Sequence, residues 1–278
     1  MGGAWTIAQL TFHEARRRKL LTVVLVLGAA FLLLFGTGLY FVRQNLAANP
    51  KAPAMAGPFA MSFMVMAALY AVNFLIVMTS VLVPIETFSG EITSGAIETL
   101  ATKPLTRAGL VFGKWLGCAA IVALYVTLMA GGVLLVARVV GSYTPPGIAV
   151  GIPLMFLEAG VVLTLSLAVG TRLSGLSNGA TAFGLYGLAF IGGWIEQVGT
   201  MVGNETCRYL GIVASLFLPS ESLWQLAAYH MQNPIMRDLH LTPFSPASVP
   251  SAAMVGWAGG YLAFLLGLAV VLFRRRDL

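Results

Sequence analysis

Uninterrupted apolar runs of about twenty residues fill most of the sequence, and they constrain the fold more than any other feature. A helix rises 1.5 Å per residue, so about 20 apolar residues cross the roughly 30 Å hydrocarbon core of a bilayer. Each run must be helical, because lipid offers no partners for backbone N–H and C=O groups. Only 9% of the residues are charged, against about 25% in soluble domains. The sequence therefore predicts an all-α membrane protein.

Six runs are long enough to span, and we predict one transmembrane helix for each, within a single transmembrane domain over residues 1–278. The predicted spans are Leu20–Val42, Phe59–Ile85, Leu110–Ala137, Ile148–Val169, Gly179–Ile195 and Ala252–Phe273. The runs are continuous, whereas a membrane barrel would show short alternating segments.

Two regions outside the spans are predicted to be helical as well. Residues 1–19 carry apolar side chains at helical spacing and end in basic residues, which is typical of a helix lying in the membrane interface. Residues 196–251 form the longest region between spans, on the outer side. Its apolar run Tyr209–Leu218 is too short to cross a bilayer. We predict two short re-entrant helices there, the second starting with Ser220 or Ser222 as N-cap.

The lysines and arginines indicate the orientation. With an even number of spans, eleven of the 16 lie on the same side as both termini, and such an excess marks the cytoplasmic side. We therefore predict a multi-pass protein of the bacterial inner membrane with both termini in the cytoplasm. Anionic lipid headgroups are the natural counter-charge. The basic residues are spread over four inner segments, which argues against binding to nucleic acid.

One acidic residue, Glu158, lies about ten residues into the fourth predicted span, close to the bilayer midplane. A charge there costs about 2.5–3.5 kcal/mol on insertion scales, so the carboxyl must be protonated, paired or hydrated. Two interpretations stay open. Glu158 and Asn73 line a translocation path, or Glu158 forms a hydrogen bond to a neighbouring helix through Asn73 or Thr127. The scarcity of other charges in the spans favours a lipid-like or amphiphilic substrate.

Two pairs of glycines four residues apart, Gly113/Gly117 and Gly256/Gly260, allow close helix packing. Such pairs also arise by chance in a chain with 31 glycines. Packing within the chain and packing at a subunit interface are both compatible with each pair.

The largest predicted cytoplasmic loop, residues 86–109, carries a short amphipathic segment. Ile92, Ile97 and Leu100 form an apolar stripe on a helix too short to be stable alone in water. The stripe must be covered by the membrane or by a partner protein. The acidic residues of the loop, among them Glu91, disfavour anionic headgroups and favour a protein partner.

This loop resembles the intracellular loop of type-2 ABC transporter permeases, the membrane subunits of ATP-driven exporters. The group includes the permeases of nitrous-oxide-reductase maturation. The residues that carry the resemblance are Glu91, Gly95, Leu100, Pro104, Leu105, Arg107 and Lys114. Residues 217–224, Phe-Leu-Pro-Ser-Glu-Ser-Leu-Trp, are also similar to a stretch in that group. The resemblance covers nearly the whole chain.

The resemblance implies a coupling helix, roughly residues 92–101, that binds a groove on a separate cytoplasmic ATPase. It assigns the ATPase contact and the fixing of the loop to Glu91, Ile92, Gly95, Ile97, Leu100, Pro104 and Arg107. It also implies two ATPase copies, a second permease subunit, and ATP with Mg²⁺ bound by the ATPase. This chain itself is expected to bind no cofactor and to catalyse nothing, since its sequence holds no Gly-xxxx-Gly-Lys-Ser/Thr loop.

Two other functions are compatible with the sequence. An ion-coupled secondary transporter or channel would use Glu158 as its proton or cation site, although no internal repeat is evident. A membrane anchor subunit of a larger complex would dock a protein other than an ATPase on the loop at residues 86–109.

Overall fold

The computed structural model describes residues 2–17, 19–49, 53, 55–85, 106–238 and 248–275, and this part of the chain is helical without strands. The predicted all-α class is therefore confirmed. The helices of the described residues are α1 (Gly2–Arg17), α2 (Lys19–Ala48), α3 (Ala56–Pro84), α4 (Arg107–Gly141), α5 (Ile148–Gly170), α6 (Gly175–Val202), α7 (Glu205–Phe217), α8 (Ser220–Met231), α9 (Pro234–Asp238) and α10 (Ala252–Arg274).

Five of these helices, namely α2, α3, α4, α5 and α10, are long and apolar enough to cross a membrane. They match five of the predicted spans, except that Ile85 follows the end of α3, and they extend these spans because a helix continues through polar residues at which an apolar run stops. The remaining predicted span, Gly179–Ile195, lies within α6. Helix α6 has 28 residues and reaches about 42 Å, but its glycines and Glu196 lower its mean hydropathy. It is therefore not among the five helices that are apolar enough to cross a membrane.

The core of the bundle is built by α3, α4 and α5. Leu69, Val72 and Ile76 of α3 are completely buried, as are Val126 of α4 and Met155 of α5. The outer helices differ, because only 11% of the apolar window of α2 and 17% of that of α10 are buried inside the chain. Those two helices therefore present most of their apolar surface outward.

A second apolar cluster joins α1, α4, α5 and α10 at one end of the bundle, called here the basic end. Its buried side chains include Ile7, Leu110, Val111, Leu167, Ala168 and Phe273. At the same end, the carboxylate of Glu14 lies 3.9 Å from the Lys114 ammonium. Helix α1 and the last turn of α10 thus lie on one side of the bundle, as predicted. That this side faces the cytoplasm stays a prediction.

Helix α1 packs against α4 through the glycine pair Gly113/Gly117. A Cβ at Gly113 would lie 2.6 Å from the carbonyl oxygen of Ala4, and one at Gly117 would lie 2.9 Å from that of Ala8. The pair is therefore filled by the chain's own first helix, and the alternative of a subunit interface at this pair is wrong. The physical reason is that α4 has no Cβ at these two positions, so α1 can approach it closely enough to cover them.

Helix α1, which we predict to lie in the membrane interface, thus packs on the bundle with one face. Trp5 of this helix is 63% exposed, whereas Ile7 and Ala8 are buried against α4. The second glycine pair, Gly256/Gly260, has no atom within 4 Å of either added Cβ among the described residues. For that pair both interpretations stay open.

We expect Gly117→Leu to release α1 from α4 and to lower the free energy of unfolding by about 3 kcal/mol. Overpacking typically costs 1–3 kcal/mol, and here the obstacles are the Cβ of Thr11, which no side-chain rotation moves aside, and the backbone carbonyl oxygen of Ala8. Gly131→Leu on the same helix is the matched control, because nothing lies within 4 Å of its added Cβ. Thermal unfolding in detergent measures both variants, and equal melting temperatures would contradict the packing.

Helices α7 and α8 meet at a bend of 105°, and they count as a sixth span only if taken together. Helix α7 packs on the second half of α6, since Gly192 faces Ala214 and Gly199 faces Cys207. Helix α8 packs on the first turns of α5, where Gly151 faces Met231. Both helices thus lie beside the half of the bundle away from the basic end. These contacts favour the re-entrant interpretation, which stays a prediction.

The start of α8 corrects one local prediction. Its N-cap is Pro219, which makes no side-chain hydrogen bond, and neither Ser220 nor Ser222 caps the helix. Proline sets its own φ and suits a helix start, so the helix begins earlier than the serine pattern indicated.

Candidate functional site

The predicted ATPase-contact residues lie mostly outside the described part of the chain. Those outside it are Glu91, Ile92, Gly95, Ile97, Leu100 and Pro104. The structure does describe Arg107, whose Nη1 donates to the backbone carbonyl of Arg274 at 3.0 Å. A cation suits the carbonyl end of a helix. Arg107 therefore ties the start of α4, which directly follows the loop, to the last turn of α10.

Glu158 and Asn73 are brought together in the centre of the bundle. The Glu158 side chain is completely buried, and its Oε1 accepts a hydrogen bond from Asn73 Nδ2 at 3.1 Å. The Asn73 side chain comes from α3 and Glu158 from α5, so the bond joins two core helices. Thr127, the other proposed partner, is exposed and donates to the carbonyl of Ala123, so that alternative is wrong.

The pair leaves two acceptors without donors. Glu158 Oε2 and Asn73 Oδ1 are buried and have no hydrogen-bond partner among the described residues. Buried polar atoms in proteins are nearly always paired, so such oxygens mark a place that suits a water molecule or a donor group of a ligand. The arrangement can hold a hydrogen-bond donor between two helices of the core.

A second buried carboxyl, that of Glu221, belongs to the same region. It lies in the first turn of α8, it is 3% exposed, and its carboxylate would repel that of Glu158 if both were charged. Its Cγ occupies the space that a Cβ on Gly193 of α6 would fill. Gln225 Nε2 lies 3.5 Å from Glu221 Oε1, the outer limit of a hydrogen bond. Within the described residues, neither carboxyl forms an ion pair with a basic side chain.

Sequence reasoning missed Glu221 as a site residue. An acidic residue in the first turn of a helix is favoured by the helix dipole, so Glu221 resembles an ordinary helix start. The sequence did contain one signal for an inward position of Glu221. The residue lies in the region at residues 196–251 for which we predict short re-entrant helices. Only the packing of α8 against Gly193 shows that its carboxyl points inward.

Aromatic side chains surround the two carboxyls. Tyr70 of α3 meets Trp224 of α8 edge to face, with ring centroids 5.2 Å apart. Tyr186 of α6 is buried in the same region. The region around Glu158, Asn73 and Glu221, to which helices α3, α5, α6 and α8 contribute, is called here the acidic centre. No group of three or more metal-ligating side chains occurs in the residues that the structure describes.

Comparison with known proteins adds one positive finding. The family model described as ABC-2 family transporter protein matches residues 5–278. The match includes all but the first three residues of α1, every helix from α2 to α10, the loop at residues 86–105 and the acidic centre. No curated protein matches the sequence significantly.

Proposed function

The chain belongs to the ABC-2 family of transporter proteins, and on that basis we propose that it is an exporter permease driven by a separate cytoplasmic ATPase through residues 86–109. Membership makes it a membrane-embedded permease subunit of an ABC transporter, associated with an ABC ATPase. In the proposal, ATP and Mg²⁺ bind to the ATPase, and this chain carries out no chemical step. The family match over residues 5–278 is the observation that carries the proposal.

The proposed assembly contains two permease subunits and two ATPase subunits in the bacterial inner membrane, with the basic end in the cytoplasm. The second permease is a copy of this chain or a close relative. The outward apolar surfaces of α2 and α10 are available to a second subunit and to lipid. Inner-leaflet headgroups balance the basic residues of the loops.

Contacts at both ends of the loop support its coupling role. At its start, Ile85 lies against α6, with its side chain 3.4 Å from a Cβ built at Gly175. At its end, Arg107 holds the last turn of α10. A displacement of the loop therefore acts on α6 and α10 as well as on α3 and α4.

The acidic centre is the proposed part of the translocation path. Helix α3 carries Asn73 and leads directly into the loop, so movement of the loop acts on the Asn73–Glu158 hydrogen bond. The free energy for this movement comes from the ATPase, which makes different contacts with the permease when ATP is bound and when it is not. A ligand can shift a conformational equilibrium only through such a difference. The few charges near the path suit a lipid-like or amphiphilic cargo.

Co-purification from native membranes tests the coupling role. We expect an ATPase subunit to bind the native protein and to be lost from the double variant Glu91→Ala, Leu100→Ala by at least about tenfold, because an apolar anchor and a charge are removed together. Leu33→Ala, at an outward-facing position that is 72% exposed, is the matched control and should retain the ATPase. Equal binding by all three proteins would contradict the proposal.

One observation favours a second candidate, an ion-coupled transporter or channel. Glu158 and Glu221 are both buried, and among the described residues neither has a basic partner, as expected of a proton or cation site. Proteoliposomes that contain this chain alone, with a pH-sensitive dye inside, test it. Proton flux that is lost in Glu158→Gln would support ion coupling, and absence of flux would leave the ATPase-driven mechanism.

A further inference from the structure

An open apolar groove of about 680 Å³ lies at the end of the bundle opposite the basic end. It runs between the first turns of α5 and α10 and the second half of α8. Val150, Leu157, Leu226 and Val255 are among its apolar lining residues. Along α5 the lining extends over about 12 Å, down to the residue next to Glu158. Its volume falls within the roughly 300–1,000 Å³ typical of ligand sites.

Two helices begin at the mouth of this groove without side-chain caps. The N-caps of α5 and α10, Gly147 and Ser251, make no side-chain hydrogen bond. The first N–H groups of a helix have no partner within the helix, and the dipole makes this end attractive to anions. The last turn of α8 also reaches the mouth, where Gln232 N–H binds the carbonyl of Ala228 at 2.9 Å. The N–H groups in the first turns of α5 and α10 are the donors that this end of the groove offers to an anion.

A guanidinium group lies beside the groove, over one of the aromatic side chains that line it. The Cζ of Arg237 lies 4.4 Å above the ring of Tyr229, which lines the groove. Its Nε donates to Asp238 Oδ1 at 2.9 Å, so one of its five N–H donors is used. The two terminal nitrogens contact no acceptor in the described residues. They form the planar fork that binds phosphate oxygens in pairs.

We propose that this groove binds a membrane phospholipid. One acyl chain lies in the apolar groove, and the phosphate lies at the mouth between Arg237 and the first turns of α5 and α10. A free phosphate ion would leave the groove empty, and an uncharged lipid would leave the guanidinium fork unused. The site is independent of the coupling loop, so its failure would not affect the proposed exporter function.

Photolabelling in proteoliposomes tests the headgroup part of the proposal. The bilayer contains a phosphatidylglycerol with a photoreactive acyl chain or, separately, a diacylglycerol with the same chains and no phosphate. We expect the phospholipid probe to label residues of α5 and α8 that line the groove. Arg237→Ala should reduce this labelling about tenfold, as for the loss of a charge-assisted hydrogen bond, and should leave diacylglycerol labelling unchanged.

A filling variant tests the groove itself. Val150→Trp, at a lining position that is 45% exposed and therefore tolerant, should reduce labelling by both probes. Val26→Trp is the matched control, since Val26 lines another groove of about 500 Å³ on α2 alone. It should leave labelling of α5 and α8 unchanged. The proposal is overturned if Val150→Trp labels like the native protein, or if Arg237→Ala reduces both probes equally.

Discussion

Replacing Gly147 with alanine should lower the free energy of unfolding by about 3 kcal/mol or more, because two costs coincide at this residue. Gly147 has φ of 62°, in the left-handed region, where a Cβ costs about 1–2 kcal/mol. An added Cβ would also overlap the backbone carbonyl oxygen of His230 in α8. Because backbone atoms cannot rotate aside, α8 must shift away from α5.

Gly203→Ala separates these two costs. Gly203 also has a positive φ, 72°, but nothing lies within 4 Å of its added Cβ among the described residues. This control should therefore lose only the conformational part, about 1–2 kcal/mol. Unfolding in increasing concentrations of sodium dodecyl sulfate, followed by tryptophan fluorescence, measures both variants. Equal losses at the two positions would show that α8 does not approach Gly147 as closely as described.

Replacing Glu158 with leucine should cost about 1–3 kcal/mol of stability, because Asn73 Nδ2 is then buried without an acceptor. Glu158→Gln keeps an acceptor oxygen and should cost less. The double variant Asn73→Leu, Glu158→Leu removes both partners, so its loss should be smaller than the sum of the two single losses. Strict additivity would mean that the hydrogen bond seen between α3 and α5 does not contribute to stability.

The same variants distinguish a structural role from a role in translocation. If Glu158 lines the path, ATP hydrolysis by the assembled complex should lose its response to transport substrate in Glu158→Gln even where stability is retained. If both Glu158→Gln and Glu158→Leu work like the native protein, Glu158 serves only to join two helices. Leu188→Ala, at a position that is 64% exposed on α6, controls for an unspecific effect of substitution in the membrane.

Hydropathy was sufficient to predict the main helices. Long apolar runs gave α2, α3, α4, α5 and α10 because the bilayer imposes both the length and the helical backbone. The hydrogen bond between Glu158 and Asn73 was one of two anticipated partnerships, since a buried carboxyl must find a partner and few polar side chains lie in the spans.

Contacts between distant segments could not be predicted in the same way. A glycine pair such as Gly113/Gly117 indicates that something packs closely, but the sequence does not indicate that α1 does. The inward position of Glu221 depends on the missing Cβ of Gly193, about thirty residues earlier in the chain. Side-chain periodicity reports which face of a helix is apolar, and it contains no information on which helix covers that face.

The shortness of α7 and α8 has a consequence for how the protein is made. With 13 and 12 residues, they reach about 20 and 18 Å, less than the roughly 30 Å needed to cross the hydrocarbon core. Neither helix alone is therefore long enough to be released by the insertion machinery into lipid as a transmembrane segment. The surfaces they pack on belong to α6 and α5, which are synthesised first. In the predicted re-entrant arrangement, α7 and α8 pack on α6 and α5 after both have been synthesised, so the acidic centre is complete only once α8 is in place.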